Sequence, residues 1–331
     1  MAERSQLDLF GGAPPRTPRP GPIGPAPIDP ELVDLARRLP EQLYLGTSSW
    51  SFPGWRGLVY DREVTAPTLA RHGLAAYAQH PLLRTVGLDR TFYAPMTREA
   101  LEDLARQVPA AFRFLVKALE TSTLAVFPRH ERYGSQAGRP NPAFLDAEQV
   151  AAALLRPLVA GLATALGPIV FQLPPQPPAN LGGPARFAMR LRAFLRGLPA
   201  GPTYAVELRN RELLSADVAS ALADTGAVPC LTVHPTMPPL GEQARQLGSD
   251  HAPTLVVRWM LGAGQEYEAA RERYRPFDRV VDPDPATREA IGAQCRSALA
   301  AGRRAFVVVN NKAEGSAPAS IVLLARTLAA G

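Results

Sequence analysis

Cysteine is nearly absent from this chain, with two in 331 residues, Cys230 and Cys295. They are far apart and set among apolar neighbours, so they read as inert buried thiols in a reducing compartment, not as a disulfide or a metal pair. Histidine is scarce as well, five in all. No H-x-H or H-E-x-x-H spacing occurs, which argues against a zinc site. The serine-hydrolase elbow G-x-S-x-G is missing. No P-loop occurs, and no G-x-G-x-x-G follows the first predicted strand. No apolar run is long enough to cross a bilayer, and the N-terminus lacks the basic-then-apolar pattern of a secretory signal. The expectation is a cytoplasmic protein with no membrane partner, no metal and no cofactor.

Lysine is the most informative shortage. Of 36 basic residues only Lys117 and Lys312 are Lys; the rest are Arg. Abundant Ala and 35 Pro point to a GC-rich genome that writes Arg wherever either residue serves. The two lysines then mark places where Arg does not serve. The formal charge of +6 comes without basic runs, so composition alone supports only weak attraction to polyanions.

Hydrophobic residues make up 46% of the chain, ample for a sizeable core. Residues 1–29 are rich in Pro, Gly and Arg and read as a disordered tail. Its start is different. Gln6, Leu7, Asp8, Leu9 and Phe10 form a compact amphipathic cluster at the tip of a Pro-rich tether. QLDLF resembles the pentapeptide by which bacterial replication and repair proteins bind the sliding clamp of DNA polymerase III. That resemblance implies that Leu9 and Phe10 fill an apolar pocket while Gln6 hydrogen-bonds.

Residues 30–331 read as one barrel domain with a short leading helix, capped by Asp29, opened by Pro30 and stopped at Pro40. Apolar runs predict strands at Tyr44–Ser48, Arg84–Asp89, Phe112–Lys117, Ile169–Leu173, Tyr204–Leu208, Cys230–Val233, Thr254–Trp259 and Ala305–Val309. They are near-continuously apolar, as parallel strands covered on both faces are. Helical patterns lie between them. Thr97, Asp146 and Ser215 are predicted caps, Pro157 a predicted kink, and Gly226 and Gly302 predicted stops. Eight strands alternating with helices predict an α/β fold, a (β/α)8 TIM-like barrel; a doubly wound open sheet is the alternative. Two long connections, Phe127 to Phe144 and Leu261 to Pro285, are each a mobile lid or an inert insertion.

In such a barrel the residues at the C-terminal strand ends converge on one site. Here they are Thr47, Ser48 and Trp50; Asp89 and Tyr93; Lys117; Gln172; Glu207 and Arg209; His234; Arg258; and Asn310, Asn311 and Lys312. Both lysines fall in this set. Lys117, Arg209, Arg258 and Lys312 favour an anionic ligand. Trp50, Trp55, Phe92 and Tyr93 are candidate stacking surfaces. Glu207 or Asp89 is the candidate acid or base, and Lys117 an electrostatic stabiliser or amine nucleophile. Each has a plainer reading too. Lys117 could merely neutralise Glu207, Asn310 and Asn311 could cap the last helix, and His234 could shape a turn.

Six ordered stretches carry a family resemblance: GTSSWSFPGWRG at 46–57, DRTFYAP at 89–95, FRFLVKA at 112–118, GPIVFQLPP at 167–175, YAVELRN at 204–210 and VVVNN at 307–311 with its following G-x-A-P. With them the chain resembles the domain of unknown function 72 family from about Leu43 to the C-terminus. The resemblance implies a TIM-like barrel and no established reaction. Gly87 and Asp89 stand where the family usually has Glu and Asn, Leu213 lies near a missing Trp, His234 replaces an Asp, and Met260 and Leu261 follow Arg258 and Trp259 where His and Gly are usual. The combined expectation is an enzyme for a phosphorylated or nucleic-acid-derived anion, recruited to the sliding clamp. A non-catalytic anion or nucleotide-binding module, and a sugar-phosphate isomerase or lyase, are the alternatives.

Overall fold

Eight parallel strands close into a barrel in sequence order: β1 Leu43–Thr47, β2 Thr85–Leu88, β3 Arg113–Lys117, β4 Leu166–Gln172, β5 Tyr204–Glu207, β6 Val228–Val233, β7 Thr254–Trp259 and β8 Arg304–Val309. The computed structural model describes residues 21–262 and 264–330. β8 returns to β1 with Ala305 opposite Leu43 and Val309 opposite Thr47. Two strands begin two or more residues earlier than the sequence predicts. Leu166 pairs with Phe114, and Val228 with Ala205. Pro168 and Pro229 sit inside these starts; a residue without an N–H reads poorly as strand interior.

The strands approach closely where side chains are absent. A Cβ on Gly46 would fall 1.9 Å from the Thr85 carbonyl oxygen, so β1 can pair with β2 only through glycine at that position.

Helices cover the outside, and their ends follow the predicted signals. Asp29 accepts from Glu31 N at 2.9 Å, Thr97 from Ala100 N at 3.3 Å, Asp146 from Gln149 N at 3.0 Å and Ser215 from Val218 N at 3.3 Å. These caps satisfy orphan donors of the first helical turns. The kink at Pro157 takes the form of a π-turn, Ala151–Leu155, between the helices Ala147–Val150 and Arg156–Leu162. The proline ring lacks a donor and crowds the carbonyl four residues back, and the wider turn relieves both.

The alternation of side chains divides the core in two. Tyr44, Leu115, Val170, Ala205, Cys230, Val256 and Phe306 form one buried cluster. Their strand neighbours Leu45, Val116, Phe171, Val206, Leu231, Val257 and Val307 join the helices in a larger one. The first set fills the barrel and the second lies between sheet and helices. Tyr44 and Phe306 stack inside at 4.3 Å between ring centroids.

The described part of the predicted tail, Gly21–Asp29, lies against the first βα loop. Ala26 N donates to Val59 O at 2.9 Å and Pro25 bridges Tyr60. The packed chain therefore starts before the boundary placed at Asp29. The Gln6–Phe10 motif lies outside the described residues. Among the described residues, no helix is long and apolar enough to cross a membrane.

Candidate functional site at the C-terminal mouth of the barrel

Strand parity selects the site. Two residues beyond the inward layer of Gly46, Gly87, Leu115, Val170, Ala205, Val256 and Val308 come Ser48, Asp89, Lys117, Gln172, Glu207, Arg258 and Asn310. The apolar filling of the barrel thus ends in a polar layer at its C-terminal mouth. Adjacent strands bring specific pairs together. Gln172 lies opposite Glu207 across β4 and β5. The β2–β3 register, Leu88 opposite Val116, sets Asp89 beside Lys117 one residue later.

Glu207 is the centre of this layer. It is fully buried, with 0% of its surface exposed. Its Oε1 accepts from Arg209 Nε and its Oε2 from Arg258 Nη1, each at 2.5 Å; Arg209 Nη2 also pairs with Oε1. Arg258 Nη1 reaches Gln172 Oε1 at 3.2 Å as well. Burial pushes the Glu207 carboxyl up, but the two guanidiniums outweigh it and bring it down to about 2. Burial likewise disfavours the charge on Arg258, and Glu207 and Asp89 more than restore it. A carboxyl near 2 is ionised at neutral pH and has no proton to give, and both its oxygens already accept from guanidiniums, so Glu207 stands as the anchor on which two arginines are mounted.

Asp89 and Lys117 are less committed. Asp89 Oδ1 is 3.9 Å from Arg258 Nη2, too far for a hydrogen bond, and has no hydrogen-bond partner. Arg258 Nε is unpartnered too. Lys117 Nζ lies 3.5 Å from the centroid of the Phe92 ring and makes no ion pair among the described residues. Burial pushes its amine down to about 8; Asp89 pulls it up and Arg258 pushes it further down. Lys117 does not simply neutralise Glu207, because the arginines occupy both carboxylate oxygens. Its backbone carbonyl accepts from Thr91 Oγ1 at 2.6 Å, which ties the end of β3 to the loop after β2.

Lys312 repeats the lysine–aromatic pairing on the other side. Its Nζ lies 4.2 Å from the centroid of Tyr267. Burial and then Arg271 lower its pKa, while Glu268 and then Asp89 raise it. Tyr267 on the helix Tyr267–Tyr274 and Tyr93 after β2 are 56% and 74% exposed, so two tyrosines stand free at the rim.

Several expected site residues are structural. Trp50 and Trp55 are 6% and 0% exposed. Trp50 Nε1 donates to Leu69 O at 3.1 Å, and Trp55 Nε1 to Asn311 Oδ1 at 3.2 Å. With no free ring face, neither is a stacking wall; both belong to the core. Thr47 has outward parity and bonds Tyr77 Oη at 2.9 Å behind the sheet. Asn311 Oδ1 also accepts from Ala317 N at 2.8 Å, capping the last helix. Asn310 stays at the mouth and donates to Ser48 Oγ at 2.8 Å. His234 shapes a turn: its Nδ1 pairs with Thr236 Oγ1 at 2.9 Å. Burial and then Arg209 push it down to about 4, so it is neutral at pH 7.

The second long connection is anchored at several points, whereas residues 128–140 of the first are largely exposed. Asp282 accepts from Tyr274 Oη at 2.7 Å and from Arg273 Nη2 at 2.5 Å. Leu261, Ala270, Tyr274 and Phe277 form their own buried cluster, with Phe52 against it. The sequence reading missed Glu314, fully buried after β8. It pairs with Arg288 and accepts from Asp284 N at 2.6 Å, which pins this connection down. It also missed Gln176 and Asn210. Gln176 Oε1 accepts from Ala125 N at 2.7 Å, and its N donates to Asn210 Oδ1 at 2.8 Å. Together they stitch the loops after β3, β4 and β5. Among the described residues, no group of three or more His, Cys, Asp or Glu side chains could hold a metal ion.

A cavity of about 600 Å³ lies at the opposite end of the barrel, beside the starts of β4, β5 and β8. Its walls, including Val159, Pro168, Pro199 and Pro202, are mainly apolar. It holds neither lysine and no carboxylate.

Residues 44–331 match the family model described as "Protein of unknown function DUF72". A DUF72 family protein from Enterococcus faecalis V583 is similar at 18% identity with a TM-score of 0.56, over 86% of this chain and 95% of that one. A DUF72 family protein from Thermotoga maritima MSB8 is similar at 17% identity and a TM-score of 0.56, over 87% and 99%. At such identities the likeness speaks for the fold alone. Among the curated proteins none is significantly similar. By the match over most of its length, the chain belongs to the DUF72 family.

Proposed function

We propose that this protein is an enzyme that takes a phosphorylated or nucleic-acid-derived anion at the C-terminal mouth of its barrel. The observation that supports this most is the mounting of Arg209 and Arg258 on the single buried carboxylate of Glu207. Lys117 and Lys312 lie at the same mouth, so four cations face two carboxylates, Glu207 and Asp89. The surplus of positive charge suits phosphate or carboxylate, and a guanidinium with free donors can grip either. Exposed Tyr93 and Tyr267 suit a flat ring on the same ligand. In this reading Lys117 is the reactive amine, Asp89 its proton partner and Glu207 a positioning residue. The QLDLF tail brings the enzyme to the sliding clamp.

One observation favours a non-catalytic binding module as the second reading: Glu207, the most buried carboxylate of the mouth, has both oxygens occupied. Thermal-shift screening of phosphorylated metabolites and nucleotides beside their dephosphorylated counterparts tests the binding they share. A phosphorylated compound should raise the melting temperature of the parent protein and not that of Arg209→Gln. Equal shifts with and without phosphate contradict it. For the tail, Leu9→Ala with Phe10→Ala should abolish binding to the purified clamp; no binding by the parent contradicts recruitment.

A further inference from the structure

The two lysines of this chain are not equivalent, and the difference lies in what surrounds each amine. Lys117 stands inward at the end of β3, half-buried, without an ion-pair partner among the described residues, with Phe92 as its near neighbour at 3.5 Å. Asp89 stands beside it by strand register, with an oxygen that no donor occupies. Arg258 Nη2 lies 3.9 Å from that oxygen, and its Nε is unpartnered. A half-buried amine, an uncommitted carboxylate and a guanidinium with free donors therefore share one end of one barrel. Lys312 lies against the exposed Tyr267 instead, and Arg271 and Glu268 of the helix Tyr267–Tyr274 act on its amine ahead of Asp89.

We propose that Lys117 forms an imine with an aldehyde or ketone whose phosphate or carboxylate is held by Arg258 and Arg209. This deepens the anion-binding reading above and rests on it. The step balances without oxidant or reductant. The Lys117 nitrogen attacks the carbonyl carbon, the C–N bond forms, and the C=O π pair moves to oxygen. Asp89 takes the nitrogen's proton and returns it to the oxygen, giving a carbinolamine. Asp89 then carries the nitrogen's remaining proton to the hydroxyl, which leaves as water while the nitrogen lone pair forms C=N. Amine and carbonyl become imine and water. The aromatic face at Phe92 covers one side of the amine. Lys117 also supplies more neutral amine at pH 7 than an ordinary lysine, because its amine titrates at about 8.

The chain's lysine shortage makes the test clean, since the amines to be labelled are Lys117, Lys312 and the N-terminus. The full chain is mixed with glyceraldehyde 3-phosphate or with neutral glyceraldehyde at pH 7. It is then reduced with cyanoborohydride and mapped by peptide mass spectrometry. The expected result is an adduct concentrated on Lys117, with the phosphorylated aldehyde labelling it about tenfold more than the neutral one. Arg304→Gln, a change at an exposed position at the far end of the barrel, should keep the adduct and Lys117→Arg should lose it. An adduct absent from Lys117, or spread evenly over all three amines, overturns the imine. Concentrated but equal labelling by both aldehydes keeps the imine and overturns the anionic reading beneath it. Site mapping in the unaltered chain makes the result independent of how well either variant folds.

Discussion

Glu207 Oε2 accepts from Arg258 Nη1 at 2.5 Å across the barrel interior, one strand end to another. Arg209 closes on the other carboxylate oxygen. One buried anion thus fixes two cations that would otherwise repel each other and splay apart. Removing it leaves two guanidiniums in a low-dielectric layer. Glu207→Ala is expected to cost about 3–5 kcal/mol, the cost of breaking a buried ion pair from one side. Glu207→Gln keeps the shape and should cost less. Urea unfolding of both variants checks the order; equal stability of Glu207→Ala and the parent contradicts it.

The same carboxylate sets an acid limb. In the fold it titrates at about 2, against 4.5 ordinarily. As pH falls, the unfolded carboxylate binds its proton first. The stability it contributes is complete above about 4.5 and is lost on the way down to 2, about 3 kcal/mol in all. Unfolding free energies of parent and Glu207→Gln, measured from pH 5 to pH 2, should converge. Parallel curves contradict the assignment.

Lys117 has the opposite sign. Its amine is lowered to about 8 from 10.5, so between these values the folded protein has released a proton that the unfolded chain still holds. Stability should climb with pH across that window. Lys117→Met should remove the climb and raise stability at pH 7 by about 1–2 kcal/mol, discounted for a half-exposed group. A Lys117→Met protein less stable than the parent at pH 7 contradicts this.

Much of this site was readable before any coordinates. Apolar runs located the strands, and the polar residues at their ends gave Lys117, Gln172, Glu207, Arg209, Arg258 and Asn310. Parity would have sharpened the list. Thr47 follows Gly46, and Gly46 shares its face with Tyr44 and Ser48, so Thr47 points at the helices. The tryptophans misled for a different reason. Large aromatics in a loop read as surface, but Phe52, Trp55 and Phe277 pack together beneath a connection more than 200 residues away. Such long-range burial leaves no local pattern. For Glu207 the residue type suggests acid–base chemistry and does not tell that partners from β7 and the end of β5 occupy both its oxygens.

The contact between the first βα loop and the distant connection is itself testable. A Cβ on Gly54 would lie 2.0 Å from the Pro276 carbonyl oxygen. Gly54→Ala must push the backbones apart, at an expected cost of about 1–3 kcal/mol. Limited proteolysis should then cut within 261–285 faster than in the parent. An unchanged cleavage pattern and melting temperature contradict the close packing.

Calorimetric titration of pyrophosphate at low salt tests the central claim most directly, comparing the parent with Arg209→Gln and Arg304→Gln. Arg304 is exposed at the start of β8, at the far end of the barrel, and serves as an equal loss of charge away from the mouth. The account predicts binding by the parent and by Arg304→Gln, and affinity about tenfold weaker in Arg209→Gln. Folded Arg209→Gln protein that binds as tightly as Arg304→Gln would contradict an anion site at the mouth.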